Sequence, residues 1–310
     1  MIIDNIVITG RIYKEIQTIF EGKKLEKNFR FLHEDDVTVD DLHWADAFAS
    51  FKPSPVFELT NIKWVHSFGA GVDSFLHQRD WNNNVLLTRT ICSFGQKIGE
   101  YCLSYILKDL QFHHEFESLQ NQKEWRQIAP KPLHEQTVII YGTGMIGQEV
   151  AKLFDTLGMT VYGVSLSGKQ KEFFKKVYPI ASDVTPLKKA NFVINTLPLT
   201  DFTNKIFNEK IFNALAAAIF INVGRGATVD ENSLLKALDQ RNLKHAILDV
   251  FSHEPLHKTN PLWNRKDVTI TPHISAITSP EEAVQCFIDT LTTIENNNPL
   301  KNLVDSKKGF

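Results

Sequence analysis

The stretch VIIYGTGMIGQEV, residues 138–150, constrains this chain more than any other. A run of β-branched residues ends in Gly142, Gly144 and Gly147 at GxGxxG spacing, and the amphipathic segment EVAKLFDTL (149–157) follows. In a strand–turn–helix unit the first glycine permits the tight turn and the second lets backbone approach a pyrophosphate. The third lets helix and strand pack closely. Backbone N–H groups of Met145 and Ile146 would then open a helix whose positive end suits phosphate. The spacing alone is a weak signal, because a tight turn that binds nothing also satisfies it. Its context strengthens it: TVYGV, ANFVINT, AIFINV, HAILDV and DVTITP follow as further strand candidates. With helical or turn segments between them, these six strands predict a doubly wound parallel sheet.

The first hundred residues show a second α/β pattern. IIDNIVIT (2–9), ADAFAS (45–50), KWVHSF (63–68) and NVLLTR (84–89) read as strands, and YKEIQTIF (13–20) as a helix with apolar residues three to four apart. IGEYCLSYILKDLQ (98–111) predicts a long helix with Ile98, Cys102, Tyr105, Ile106 and Leu110 on one face. The polar stretch EWRQIAPKPLHEQ (124–136) is expected to be a loop, and DENSLLKALDQ (230–240) a helix with Asp230 at its N-cap. EEAVQCFIDTLTTI (281–294) is amphipathic and is expected to pack back on the first domain. The fold class is therefore α/β with two domains.

Composition excludes several functions. Lys and Arg number 34 against 36 Asp and Glu, a net charge of −2, so no overall field draws the protein to nucleic acid or anionic lipid. Cys92, Cys102 and Cys286 lie far apart, with neither a disulfide framework nor a metal-like spacing. No apolar run is long enough to span a bilayer, and the N-terminus lacks the basic region of a signal peptide. A cytoplasmic enzyme or binding protein, without membrane or nucleic-acid partner and without metal, is the expectation.

Ligands of open α/β sheets sit outside the carboxyl ends of the strands. Polar residues stand there after three of the strands. FINVGRGATVDE (220–231) places Arg225 directly after an apolar strand; LDVFSHEPL (248–256) places Asp249 at a strand end and Glu254 beyond it; TITPHISAI (269–277) places His273 after a strand and a proline. A guanidinium binds a carboxylate bidentately, and an imidazole beside a carboxylate exchanges protons near neutral pH. Each residue alone has a plainer reading: a helix-end cation, a solvated acid, a surface histidine. His253 is a rival to His273 for acid–base work, without the proline context.

With these motifs in register, the chain resembles the D-isomer-specific 2-hydroxyacid dehydrogenases, in the glyoxylate/hydroxypyruvate reductase-like branch. The resemblance rests on GTGMIG (142–147), NTLPLT (195–200), INVGRGATVDE (221–231), LDVFSHEPL (248–256) and TPHIS (271–275), with HSFGAGVD (66–73) and IGEY (98–101) upstream. It implies a Rossmann-type sheet, residues 95–276, inserted into a flavodoxin-like substrate domain made of 1–94 and 277–310. It further implies reduction of a small-molecule 2-oxo acid to a D-2-hydroxy acid, in a homodimer whose interface includes the helix from Ile98. On the resemblance, Arg225 binds the substrate's carboxylate and oxo group, His273 is proton donor and Glu254 pairs with His273. Backbone of Phe68, Gly69, Ala70 and Gly71 holds the carboxylate. Leu197, Pro198, Thr203, Val223 and Gly224 join the glycine turn in lining the coenzyme. Asp249 accepts from the nicotinamide amide, or alternatively makes a structural hydrogen bond to neighbouring backbone. Phe68 and Trp81 fit either a substrate pocket or the core. Some proteins of this fold sense the coenzyme as corepressors without significant turnover, which is the alternative function.

The coenzyme itself is addressed by TVYGVSLSGKQK (160–171). Where NAD-dependent relatives carry an acid that grips the ribose, this chain has Ser165, followed by Ser167 and Lys169. Hydroxyls and an ammonium can donate to a 2′-phosphate. NADP is therefore the expected cofactor, with NAD the alternative if Lys169 only belongs to a solvated cluster with Lys171, Lys175 and Lys176.

Overall fold

Apolar runs near each strand position build two separate parallel sheets. The computed structural model describes every residue of the chain except 24, 78 and 182–184. Two compact units result: Met1–Cys92 with Thr278–Phe310, and Ser93–Ile277 between them. The joints, expected from sequence after residues 94 and 276, fall after Cys92 and Ile277.

The first unit carries β1 (Asn5–Thr9), α1 (Tyr13–Glu21), β2 (Asn28–Leu32), α2 (Val39–Trp44), β3 (Ala47–Ser50), β4 (Trp64–Ser67), α3 (Asp73–Leu76) and β5 (Leu86–Arg89). All pairings are parallel, in the order β2-β1-β3-β4-β5, the flavodoxin-like arrangement. The strand expected from residue 2 starts at Asn5, and the sequence reading did not include β2 or α2. The C-terminal helix Pro280–Glu295 begins in a capping box, Ser279 with Glu282, and presents Ala283, Val284, Phe287, Leu291 and Ile294 to the core. Phe287 stacks on Trp64 at 4.7 Å between centroids and meets Phe20 of α1 edge-on. The expectation that this helix packs back on the first domain is met.

A polar thread runs through that core. Trp64 Nε1 donates to Thr88 Oγ1 (2.8 Å), His66 Nδ1 lies 2.8 Å from the same hydroxyl, and His66 Nε2 lies 3.2 Å from Thr90 Oγ1, which donates to the Ser67 carbonyl (3.2 Å). One proton assignment satisfies the thread: Thr88 donates to Nδ1, and a neutral ring donates from Nε2 to Thr90. The thread ends beside the turn Phe68–Gly71. There the Ser67 hydroxyl accepts from Gly69 N–H and donates to the Gly71 carbonyl, and Arg89 donates to the Ala70 carbonyl. Phe68 is a core aromatic with no exposed surface.

The second unit holds α4 (Phe94–Leu110), α5 (His113–Gln122), β6 (Thr137–Tyr141), α6 (Met145–Thr156), β7 (Thr160–Ser165), β8 (Lys176–Pro179), β9 (Phe192–Asn195), α7 (Glu209–Asn213), β10 (Ala218–Asn222), α8 (Glu231–Asp239), β11 (Leu243–Leu248) and β12 (Val268–Ile270). Among the described residues seven strands form one parallel sheet, ordered β12-β11-β10-β9-β6-β7-β8. Counted within the unit this is 3-2-1-4-5-6 with a seventh strand added, the doubly wound Rossmann order. The six expected strands are present; β8 is the addition. β9 and β10 are buried throughout, as strands covered by helices on both faces must be. Asp230 caps α8 by accepting from Ser233 N–H at 2.8 Å. No helix among the described residues is long and apolar enough to cross a membrane.

Complete burial pushes the His66 imidazole down to about 3 from 6.5. The sign follows: the unfolded chain binds a proton near pH 6.5 that the folded unit refuses, so stability is complete above that pH and falls as pH drops towards 3. Between pH 7 and pH 5 this one residue should cost about 2 kcal/mol of unfolding free energy. Urea unfolding at both pH values should show a smaller drop in His66→Gln than in the wild type; an identical drop would place the effect elsewhere.

Candidate active site

The glycine turn joins β6 to α6 beside β9, where the strand order reverses. Gly142 sits at φ +100°, in the left-handed half of backbone space that side chains resist. A Cβ on Gly147 would lie 1.8 Å from the Gly142 carbonyl oxygen, so only glycine lets α6 start this close to the strand. Gly144 differs: a Cβ there meets nothing within 4 Å, and the residue is the N-cap of α6 without a side-chain cap. The turn thus offers a concave stretch of backbone and the first N–H groups of a helix, Met145 and Ile146 among them, which have no acceptor within the helix. This is the cradle a pyrophosphate requires.

The neighbouring strand ends are tied by a buried amide clasp. Asn195, at the end of β9, donates to Asn222 Oδ1 and Thr228 Oγ1, both at 2.8 Å, and accepts from Leu197 N–H at 3.0 Å. Asn222 accepts from Gly224 N–H (3.2 Å) and donates to the Arg225 carbonyl (3.3 Å), which also receives the Thr228 hydroxyl at 2.6 Å. The clasp fixes the segments that carry Leu197, Val223, Gly224 and Arg225 in one arrangement. Thr203 closes the adjoining turn, donating to the Pro198 carbonyl at 2.7 Å. The Arg225 Nη1 donates back to the Gly224 carbonyl at 2.8 Å.

His273 and Glu254 come together from different loops. Nδ1 of the imidazole is 2.8 Å from Glu254 Oε2, while Oε1 accepts from Phe251 N–H at 2.8 Å. Burial pushes the Glu254 carboxyl up, but the His273 hydrogen bond, the Phe251 N–H and the charges of His273 and Arg225 outweigh it, and the acid ionises more readily than a free glutamate. Bonding through Nδ1 leaves Nε2 as the ring atom able to exchange a proton with another molecule. His253 is exposed and is not the partner of Glu254.

Asp249 lies behind this pair with no exposed surface. Oδ1 accepts from the Thr271 hydroxyl (2.6 Å) and Ile274 N–H (2.8 Å), and Oδ2 from Ser275 N–H (2.8 Å). Asp249 thus makes the structural hydrogen bonds to neighbouring backbone that were one of its two expected roles, and these bonds hold the turn that bears His273.

At the end of β7, Ser165 Oγ accepts from Gly168 N–H at 3.2 Å and Ser167 Oγ from Lys169 N–H at 3.3 Å. These bonds shape a short turn with Lys169 exposed upon it. Lys175 and Lys176 lie over the rings of Tyr162 and Tyr178.

The family model for the NAD-binding domain of D-isomer specific 2-hydroxyacid dehydrogenases matches residues 103–275. The chain belongs to the D-isomer-specific 2-hydroxyacid dehydrogenase family. Glyoxylate/hydroxypyruvate reductase A of Serratia proteamaculans is 36% identical over 256 residues, 80% of this chain and 82% of that one. A D-isomer specific 2-hydroxyacid dehydrogenase from Xanthobacter autotrophicus Py2, solved with NADPH and MES, superposes with a TM-score of 0.89 at 27% identity over 100% of both chains. The NADPH-dependent glyoxylate/hydroxypyruvate reductase of Sinorhizobium meliloti, solved with NADP and sulfate, gives 0.86 at 28% identity over 99% of this chain and 100% of that one. By membership this dehydrogenase is an NAD(P)-dependent oxidoreductase of the glyoxylate/hydroxypyruvate reductase branch.

Several residues that shape the site of this dehydrogenase were not singled out from sequence: Asn195, Asn222, Thr228, Tyr101 and Thr271. Each lies within one of the motifs that carry the resemblance, but a polar residue at a strand end, in a turn or inside a helix has no chemistry that marks it alone. Among the described residues no group of His, Cys, Asp and Glu has the arrangement to hold a metal.

The cradle makes a test in which folding and binding separate. Gly144→Ala should leave the unfolding temperature within about 2 °C while weakening nicotinamide dinucleotide binding by at least about tenfold, because the added methyl projects into open space at the phosphate position. Gly147→Ala should instead destabilise by about 1–3 kcal/mol through overpacking against Gly142. Fluorescence titration with the dinucleotide and thermal unfolding of both variants give the comparison.

Proposed function

We propose that this protein reduces small 2-oxo acids, of the glyoxylate and hydroxypyruvate class, to D-2-hydroxy acids with NADPH as reductant. The observation that carries the reading is the His273–Glu254 pair at 2.8 Å, in the same unit as a glycine cradle with room for a pyrophosphate. Bound reduced nicotinamide supplies the hydride. The chain supplies the rest. Reducing a carbonyl places developing negative charge on oxygen, and Nε2 of His273 is the atom to deliver a proton there. Glu254 receives Nδ1–H and keeps the ring in one orientation. Arg225, its backbone pinned by the amide clasp, binds carboxylate and oxo group through a planar fork that a lysine cannot reproduce. The backbone of Phe68–Gly71 is assigned to the carboxylate on family resemblance.

The preference for NADPH is supported by Ser165, where an acid would repel a 2′-phosphate, and by Ser167 and Lys169 as donors on the same turn. It is supported also by the dinucleotides bound in the relatives from X. autotrophicus and S. meliloti, NADPH and NADP.

Oxidation of NADPH and of NADH, each followed by absorbance with glyoxylate, hydroxypyruvate and larger 2-oxo acids, tests the proposal. Turnover should be fastest with NADPH and a small 2-oxo acid, and His273→Gln should lower kcat by about 10²–10⁴-fold with dinucleotide affinity retained. Arg225→Lys should raise KM for the 2-oxo acid and lower kcat, and Ser165→Asp should move preference towards NADH. Dinucleotide binding without oxidation by any acid of the panel would support a coenzyme-sensing role instead.

A further inference from the structure

The hydroxyl of Tyr101, on α4, is 2.6 Å from Thr271 Oγ1, and Thr271 Oγ1 is 2.6 Å from Asp249 Oδ1. A carboxylate only accepts, so the single Thr271 hydroxyl hydrogen points to Asp249. The Tyr101 hydroxyl must then be the donor to Thr271. Burial pushes that hydroxyl further above its ordinary value, so it remains a donor at any working pH. Edge-on contact with Tyr105, ring centroids 5.0 Å apart, holds the Tyr101 ring in place.

The end of this relay is the turn that carries His273. Asp249 uses one carboxylate oxygen for Ile274 N–H, the other for Ser275 N–H, and its backbone carbonyl for His273 N–H at 2.8 Å. His273 itself adopts φ +57°, a left-handed conformation that costs a non-glycine residue about 1–2 kcal/mol and is kept only where neighbours enforce it. The enforcing neighbours are the three Asp249 acceptors. Their orientation depends on Thr271, and the Thr271 rotamer is fixed from behind by Tyr101. Helix α4, β11 and the segment after β12 are thereby joined by hydrogen bonds at a single point.

We propose that Tyr101 is a positioning residue for the reduction, acting on His273 through Thr271 and Asp249. The proposal rests on the reading of His273 as proton donor. Tyr101 touches neither substrate nor coenzyme in this scheme; it limits the range of positions open to Nε2, and proton transfer is sensitive to displacements well under 1 Å.

The full-length protein is assayed as Tyr101→Phe, Thr271→Val, Thr271→Ser and His273→Gln, with NADPH and glyoxylate. Tyr101→Phe and Thr271→Val should lower kcat by about tenfold, with KM and NADPH affinity changed by less than about twofold. The solvent deuterium isotope effect on kcat should rise in both, because proton transfer becomes more rate-limiting. Thr271→Ser, which retains the hydroxyl, should recover most of the loss. Should Thr271→Val fail to fold, Tyr101→Phe carries the test. Wild-type kcat and isotope effect in Tyr101→Phe, or a matching fall in NADPH affinity, would overturn the proposal. His273→Gln separates the two levels: full turnover there removes the proton-donor reading itself. An inactive His273→Gln beside unaffected Tyr101 and Thr271 variants removes only the positioning role.

Discussion

A buried carboxylate must be met by donors, and the way Asp249 is met governs the turn of the Rossmann unit that bears His273. Removing an ionised acid from water costs several kcal/mol unless hydrogen bonds replace the lost solvent. Here one hydroxyl and two backbone N–H groups do so, and both N–H groups belong to residues directly after His273. The chain can satisfy Asp249 only by turning sharply at His273, which explains a left-handed histidine with no glycine to ease it. The position of the imidazole is therefore a consequence of solvating a charge one layer deeper.

The amide clasp of Asn195, Asn222 and Thr228 works by the same logic at the neighbouring ends of β9 and β10. All three side chains are buried, Asn195 and Asn222 at the ends of β9 and β10 and Thr228 in the turn that follows, where the ladder stops and loop carbonyls and N–H groups need partners. By supplying them, the clasp turns two flexible loop starts into one rigid edge that carries both Leu197 and Arg225. A loss of one amide would leave its partners buried and unpaired, so the effect of mutation would exceed the value of a single bond.

Much of this was legible in the sequence, for reasons that follow from burial. Strands covered on both faces are unbroken apolar runs, so β9, β10 and β11 announce themselves as FVIN, AIFIN and the AIL of LKHAIL. β8 did not: KVYP at the sheet edge buries only Val177, and an edge strand has no need of a full apolar run. β2 was missed for a like reason, since NFRFL at the other sheet's edge has no fully buried residue. Helix α5 was missed because HHEFESLQNQ buries only Leu119 and so shows almost no stripe. Arg225, Glu254 and His273 stand out as candidates because charged residues after apolar strands are conspicuous. The residues that hold them could not, since a threonine or asparagine at a strand end reads equally as a turn former. Tyr101 was harder still: on the helix face of Ile98 and Cys102 a tyrosine looks like ordinary core, and only the hydroxyl's 2.6 Å contact with Thr271 shows otherwise.

Holding and reacting are thus assigned to different depths of the same turn. The Glu254–His273 pair is roughly half exposed, 36% and 49% by side chain, and an ion pair so placed contributes at most about 1 kcal/mol to stability. Its place is at the accessible surface of the turn, as the proposed proton transfer requires. The Asp249 layer is the reverse: fully buried, fully bonded and expensive to disturb, with no atom presented to solvent. An arrangement of this kind lets the outer layer vary without unfolding the protein, while the inner layer fixes where any residue at position 273 must stand. The same division applies at the glycine turn, where Gly147 and Gly142 hold the helix against the strand while nothing lies within 4 Å of a Cβ placed on Gly144.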